Sequence, residues 1–144
     1  MAFPHYKNYV SSTPEETASL GEKIGILLKP GDIVAIQGEL GTGKTVFARG
    51  IARALGVMEN LTSPTYTIIS EYEAKSLLFY HMDMYRLSGD DDFCLAGGKE
   101  LLFGTGICVI EWPERINLPP SVINVRIEIM KDGKRHIRYQ DPAL

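Results

Sequence analysis

The chain has little that would tie it to a bilayer, an oxidising compartment or a nucleic-acid surface. No apolar run in its 144 residues approaches the ~18 residues needed to cross a membrane. The opening segment, Met1 to Lys7, lacks the apolar stretch of a secretory signal, and a cytoplasmic location is expected. Cysteine occurs only at Cys94 and Cys108. Cys108 falls inside an apolar strand pattern, which predicts a buried thiol rather than a disulfide. Positive charge is scarce as well. Fifteen Lys and Arg stand against 18 Asp and Glu, and the net charge of -3 argues against nucleic-acid binding by bulk electrostatics. There are no internal repeats and no low-complexity linkers. The length leaves room for one domain with a real core, residues 1–144, and little more.

Against this background one segment stands out. Residues 38 to 45, Gly-Glu-Leu-Gly-Thr-Gly-Lys-Thr, match the phosphate-binding loop pattern G-x-x-x-x-G-K-[ST] at every fixed position. Ile33 to Ile36 precede it as a short apolar run, and Val46 to Leu55 follow at helical spacing. Strand, glycine-rich turn and helix in that order form an anion site. The turn's N–H groups point inward, and the helix N-terminus adds partial positive charge. Lys44 would reach the outer phosphates and the Thr45 hydroxyl would hold Mg²⁺, so a nucleoside triphosphate is the expected ligand. Asn-Lys-x-Asp and Asp-x-x-Gly, the marks of a GTPase, are both missing, which favours ATP.

The remaining pattern is α/β. Thr13-Pro14-Glu15-Glu16 reads as a helix start, with the helix running to about Leu28. Gly56 is the expected C-cap of the loop helix. Tyr66 to Tyr72 and Leu77 to Met82 predict an antiparallel hairpin, and Val122 to Met130 with Lys134 to Tyr139 predict a second around Asp132-Gly133. A short helix around residues 92–102 is weakened by Gly97 and Gly98, and Ile107 to Ile110 reads as a buried strand. The fold class expected is a single P-loop NTPase domain, with a central mixed, largely parallel sheet flanked by helices.

Hydrolysis also needs acidic groups near the metal and the attacking water. Asp83 and Glu111 each follow an apolar strand run, where open α/β sheets place their ligands. Spacing alone does not tell which of the two touches the metal. His81 shares a strand face with Asp83 and could orient it or sense the outermost phosphate, while Arg86 could neutralise phosphate charge.

Four segments together carry a family resemblance: Gly38 to Thr45, Ser63-Pro64-Thr65-Tyr66-Thr67, His81-x-Asp83-x-Tyr85-Arg86-Leu87, and Val109-Ile110-Glu111-Trp112-Pro113-Glu114-Arg115. In this order and spacing the chain resembles the TsaE (YjeE) family of small bacterial P-loop ATPases of tRNA threonylcarbamoyladenosine synthesis. The resemblance implies that Leu40, Gly41, Thr42, Gly43, Lys44 and Thr45 bind the nucleotide phosphates. It further implies that Thr45 and Glu111 hold Mg²⁺, with Asp83 near the metal and the hydrolytic water, and that Lys44, Asp83 and Glu111 serve catalysis. Thr65 would lie in a switch-like loop, His81 would count among the same switch and partner residues, and Trp112 would stand at a position tied to activity and partner contact. Thr13 and the Asp132-Gly133-Lys134 turn would flank the base, Gly133 being the nucleotide contact. The implied partners are TsaB and TsaD, whose complex ATP hydrolysis would reset between turnovers. tRNA would be met only indirectly, and neither a membrane nor DNA is expected. The family carries a more continuous helix where this chain has Gly97-Gly98-Lys99, so a less rigid segment is expected at 89–104.

Two other classes fit a phosphate loop of this size. A small-metabolite kinase would need a basic acceptor pocket and a mobile arginine-rich lid, which Arg135 and Arg138 do not supply convincingly. A regulatory module would bind ATP without turning it over. Lys131, Lys134, Arg135, His136 and Arg138 are the one concentrated basic stretch, read as a solvated hairpin face with direct tRNA contact as the alternative.

Overall fold

In the computed structural model, which describes residues 5–59, 61 and 68–143, seven strands form one sheet in the order β1-β7-β6-β2-β5-β4-β3. In chain order the elements are β1 (Tyr6–Ser11), α1 (Pro14–Ile26), β2 (Ile33–Gln37), α2 (Lys44–Ala54), β3 (Ile69–Glu73) and β4 (Leu78–Asp83). There follow α3 (Asp90–Leu95), α4 (Gly98–Leu102), β5 (Ile107–Glu111), a 3₁₀ turn (Pro113–Arg115), β6 (Ile123–Ile129) and β7 (Arg135–Gln140). The four central strands, β6, β2, β5 and β4, run parallel. The pairs β3–β4, β6–β7 and β1–β7 are antiparallel.

The apolar composition of the central strands explains why they lie inside. All of β5 is buried, as are four of the five residues of β2, so both faces of the sheet must be covered there. On one face, Leu20 and Ile24 of α1 and Phe47, Ala48 and Ile51 of α2 pack over Val34, Ile36, Phe79, Val109 and Ile127. On the other, Phe93 of α3 and Leu102 of α4 pack over Ile33, Met82, Cys108 and Ile110. Burial pushes the Cys108 thiol up to about 12, so it stays protonated as a small apolar group.

Local signals set the helix ends. The Thr13 hydroxyl accepts from the Glu16 N–H at 3.1 Å with Pro14 opening the helix, and the Glu16 carboxylate accepts from Ser12 N–H at 3.3 Å. Leu55 caps α2, with Gly56 at φ +86° just beyond it.

Two expectations are corrected. The helix expected around 92–102 is two short helices, because Gly97 takes φ +82° and leaves Gly98 to start the second. β4 runs from Leu78 to Asp83, one residue further along at each end than the run expected for it. β1 was not foreseen. Its six residues, Tyr-Lys-Asn-Tyr-Val-Ser, are half of them exposed and carry no alternating apolar pattern, and their register comes from pairing with β7. Among the described residues no helix is long and apolar enough to cross a membrane.

Candidate active site

The loop Gly38–Thr45 links the C-terminal end of β2 to the first turn of α2. Gly43 turns the chain at φ +102° and stands at the N-cap of α2 without a side-chain cap, which leaves the helix's first N–H groups open to an anion. A residue with a Cβ would be strained at this φ.

Lys44 is 5% exposed, and its ammonium donates to Gly38 O at 2.6 Å and Glu39 O at 2.8 Å. Burial draws its pKa below the ordinary lysine value, while the charges of Glu111 and Asp83 oppose that fall. The charge therefore sits inside the loop, against carbonyl oxygens that a phosphate would replace.

Thr45 faces the carboxylate of Glu111, donating from Oγ1 to Oε2 at 3.0 Å and Oε1 at 3.2 Å. Glu111 is 3% exposed and meets the fully buried His81 through Oε2 and Nε2 at 2.6 Å. The parallel register explains the meeting. Asp83 lies directly beside Glu111 at the ends of β4 and β5, and Ile36 of β2 flanks Glu111 on its other side. Burial raises the Asp83 pKa above the ordinary carboxylate value, against the N–H of Tyr85, which donates to Oδ1 at 3.0 Å. His81 thus contacts Glu111, not Asp83 as its strand face suggested. Its Nδ1 is buried without a hydrogen-bond partner among the described residues.

A hydroxyl and a carboxylate side by side are the hard oxygen donors that Mg²⁺ takes, usually with waters and phosphate oxygens completing its shell. No group of three or more His, Cys, Asp or Glu forms a closed cage among the described residues.

Trp112 follows Glu111 at φ 58°, the one non-glycine residue with positive φ among those described. Such a conformation costs a bulky side chain about 1–3 kcal/mol. It lays the indole across the site mouth, 4.5 Å from Lys44 Nζ and 4.8 Å from the Tyr85 ring, centroid to centroid in the second case.

On the opposite side of the loop a cavity of about 320 Å³ lies between Thr13, Pro14, Thr42, Gly43, Gly133 and Arg135. That is the size of a small-molecule site. Gly133 lies at the β6–β7 turn, at φ +86°. Leu40 is 64% exposed, so any phosphate contact it makes comes from its backbone, and Gly41 turns the loop at φ +80°. Thr42 is buried, its hydroxyl donating to Glu39 O at 3.0 Å. Arg86 is exposed to solvent. Thr65, with the rest of Ser63 to Thr67, lies outside the described residues.

The sequence reading overlooked Arg135 as a site residue. Its side chain reaches back to the loop, donating to Thr42 O at 3.1 Å and Gly41 O at 3.2 Å. It therefore does not stand free on a solvated hairpin face. More than 90 residues separate it from the loop, and no local pattern signals the contact.

Comparison with known proteins identifies the family. The family described as threonylcarbamoyl adenosine biosynthesis protein TsaE matches residues 11–137. The tRNA threonylcarbamoyladenosine biosynthesis protein TsaE of Treponema pallidum is 43% identical over 130 residues, covering 89% of this chain and 96% of that one. Its counterpart in Bacillus subtilis is 38% identical, with 88% and 80% covered, and that of Aquifex aeolicus 37%, with 92% and 94%. The crystal structure of YdiB from Bacillus subtilis superposes with a TM-score of 0.75 at 32% identity, covering 98% of this chain and 88% of that one. The P-loop fold and matches of this extent lead to one conclusion: the chain belongs to the TsaE family.

Proposed function

We propose that this chain is an ATPase of tRNA threonylcarbamoyladenosine synthesis, working as one domain over residues 1–144, in the cytoplasm, on a TsaB–TsaD complex. The observation that carries the enzymatic part is the contact of Thr45 Oγ1 with the Glu111 carboxylate, at the residue directly after Lys44. In this reading the loop N–H groups and Lys44 bind the phosphates of ATP, and Thr45 and Glu111 hold Mg²⁺. The bound ion would offset phosphate charge as the bond to the outermost phosphoryl group breaks. Asp83, beside Glu111, orients the attacking water, and the rise in its pKa that burial causes makes its carboxylate a stronger base toward that water. The cavity at Thr13, Gly133 and Arg135 takes the base.

The metabolite-kinase alternative is weakened by the second cavity, of about 670 Å³, on the Trp112 side of the loop. Its lining includes Glu39, Glu114 and Glu128, and its Arg126 is ion-paired to Glu128 at 3.0 Å. An anionic acceptor would meet mostly carboxylates there.

The testing experiment is Mg²⁺-dependent ATP hydrolysis by the purified chain, alone and with TsaB–TsaD, with Glu111→Ala as control. The expected result is slow turnover that rises with the partners and is lost in the variant. Absence of stimulation by a competent partner complex overturns the partner assignment, and Mg²⁺-independent hydrolysis overturns the metal assignment.

A further inference from the structure

Arg135 is held by strand pairing on both sides. Its backbone pairs with Ser11 of β1 on one side and Ile129 of β6 on the other, at the first position of β7. From there the guanidinium holds three carbonyls: Gly133 O at 2.7 Å, Thr42 O at 3.1 Å and Gly41 O at 3.2 Å. The three bonds come from three separate nitrogens of the planar fork, whereas an ammonium has all its donors on one nitrogen.

Two of those carbonyls belong to the phosphate loop, and the geometry of the peptide group gives the contact a meaning. In a planar trans peptide the C=O and the following N–H point in opposite directions. A guanidinium that fixes Gly41 O and Thr42 O outward also fixes the Thr42 and Gly43 N–H groups toward the other side, the concave side of the loop. The Thr42 N–H makes a long turn bond to Glu39 O at 3.4 Å, and the Gly43 N–H makes no backbone hydrogen bond among the described residues. A cation on the carbonyl end also polarises each peptide, making its N–H a stronger donor. Without such a brace, Gly41 and Gly43 would leave these two peptides free to rotate.

We infer that Arg135 is a positioning residue that preorganises the phosphate loop, acting through the Gly41 and Thr42 carbonyls to aim the loop's N–H groups at phosphate oxygens. The inference rests on the nucleotide reading above. It differs from a role in the base cavity, which Arg135 also lines, because it concerns the phosphates alone.

The test is titration of Arg135→Ala and Arg135→Lys with inorganic pyrophosphate and with ADP, by calorimetry or by the shifts of the Thr42 and Gly43 amides. Losing hydrogen bonds of this charged kind predicts that Arg135→Ala binds both ligands about 10-fold or more weakly. Arg135→Lys keeps the charge with a single donor head and should fall in between. If Arg135→Ala does not fold, the lysine variant decides. Wild-type affinity for pyrophosphate in whichever variant folds overturns the inference, as does a loss confined to ADP, which would assign Arg135 to the base. A wild-type chain that binds neither ligand overturns the nucleotide reading together with the inference.

Discussion

The two sides of the loop are built by different means. On one side the parallel strands β2, β5 and β4 end in register, and their last residues bring Glu111 and Asp83 to the start of α2. Lys44, Thr45, His81, Asp83 and Glu111 are buried or half-buried there, and each takes part in at least one hydrogen bond of 3.2 Å or less. On the other side the cavity is assembled from the start of α1 and the turn between β6 and β7, with Arg135 as the direct link to the loop. Closely packed parallel strands give the first side a rigid frame that suits chemistry needing oxygen atoms held in place. The second side has a helix start and an exposed turn, which suits a ligand part that is only bound. The chemical side should therefore respond to single substitutions through turnover and metal dependence, and the binding side through affinity and stability.

The largest effect is expected at Lys44. Lys44→Ala removes the one ammonium inside the loop and takes a side-chain donor from Gly38 O and from Glu39 O, the latter keeping the Thr42 hydroxyl. ATP turnover is expected to fall about 100-fold or more, the usual cost of removing a preorganised charge stabiliser. Steady-state phosphate release measures it, and turnover within a factor of two of wild type would remove the loop from the mechanism. Next comes Glu111→Gln, which keeps the shape and loses the charge beside Thr45. The Mg²⁺ concentration for half-maximal activity should rise roughly 10-fold or more. An unchanged Mg²⁺ dependence would move the metal to Asp83.

How much of this was legible beforehand follows the same division. The loop was readable because its chemistry needs particular residues at fixed local spacing, and the neighbouring apolar runs marked β2 and α2. Asp83 and Glu111 were readable as strand ends, but their neighbourhood was not. Register between β4 and β5 depends on packing across the sheet, which is why the His81–Glu111 contact was missed and His81 was paired with Asp83 instead. The Thr13 cap and the Gly133 turn were placed near the base by resemblance. Arg135 and β1 lay beyond reach for a simple reason: each finds its partner about 90 or more residues away, and neither carries a pattern of its own.

His81 offers a sharper test of the rigid side. If its value lies in holding Glu111 against Thr45, a side chain with an amide at the same reach should replace it. His81→Gln is expected to keep Mg²⁺ dependence within a few-fold of wild type. His81→Leu, with no donor, should weaken it about 10-fold, a typical cost for a residue supporting a metal ligand. Equal loss in both would show that the buried ring matters for packing alone.

The smallest effect is expected on the binding side, at Thr13. Its hydroxyl accepts from the Glu16 N–H, and its loss leaves an N–H at the start of α1 without a side-chain acceptor. Thr13→Ala should cost about 1 kcal/mol of stability, or a drop in melting temperature of about 3 °C for a chain of this length. Because the same turn borders the cavity, affinity for ADP should fall a few-fold while affinity for pyrophosphate stays level. Melting curves with and without each ligand separate the two effects. A Thr13→Ala chain that lost pyrophosphate affinity as steeply as Arg135→Ala would mean the two sides move as one unit. The division into a rigid chemical side and a softer binding side would then fail, since the start of α1 would be bracing the phosphate loop as well.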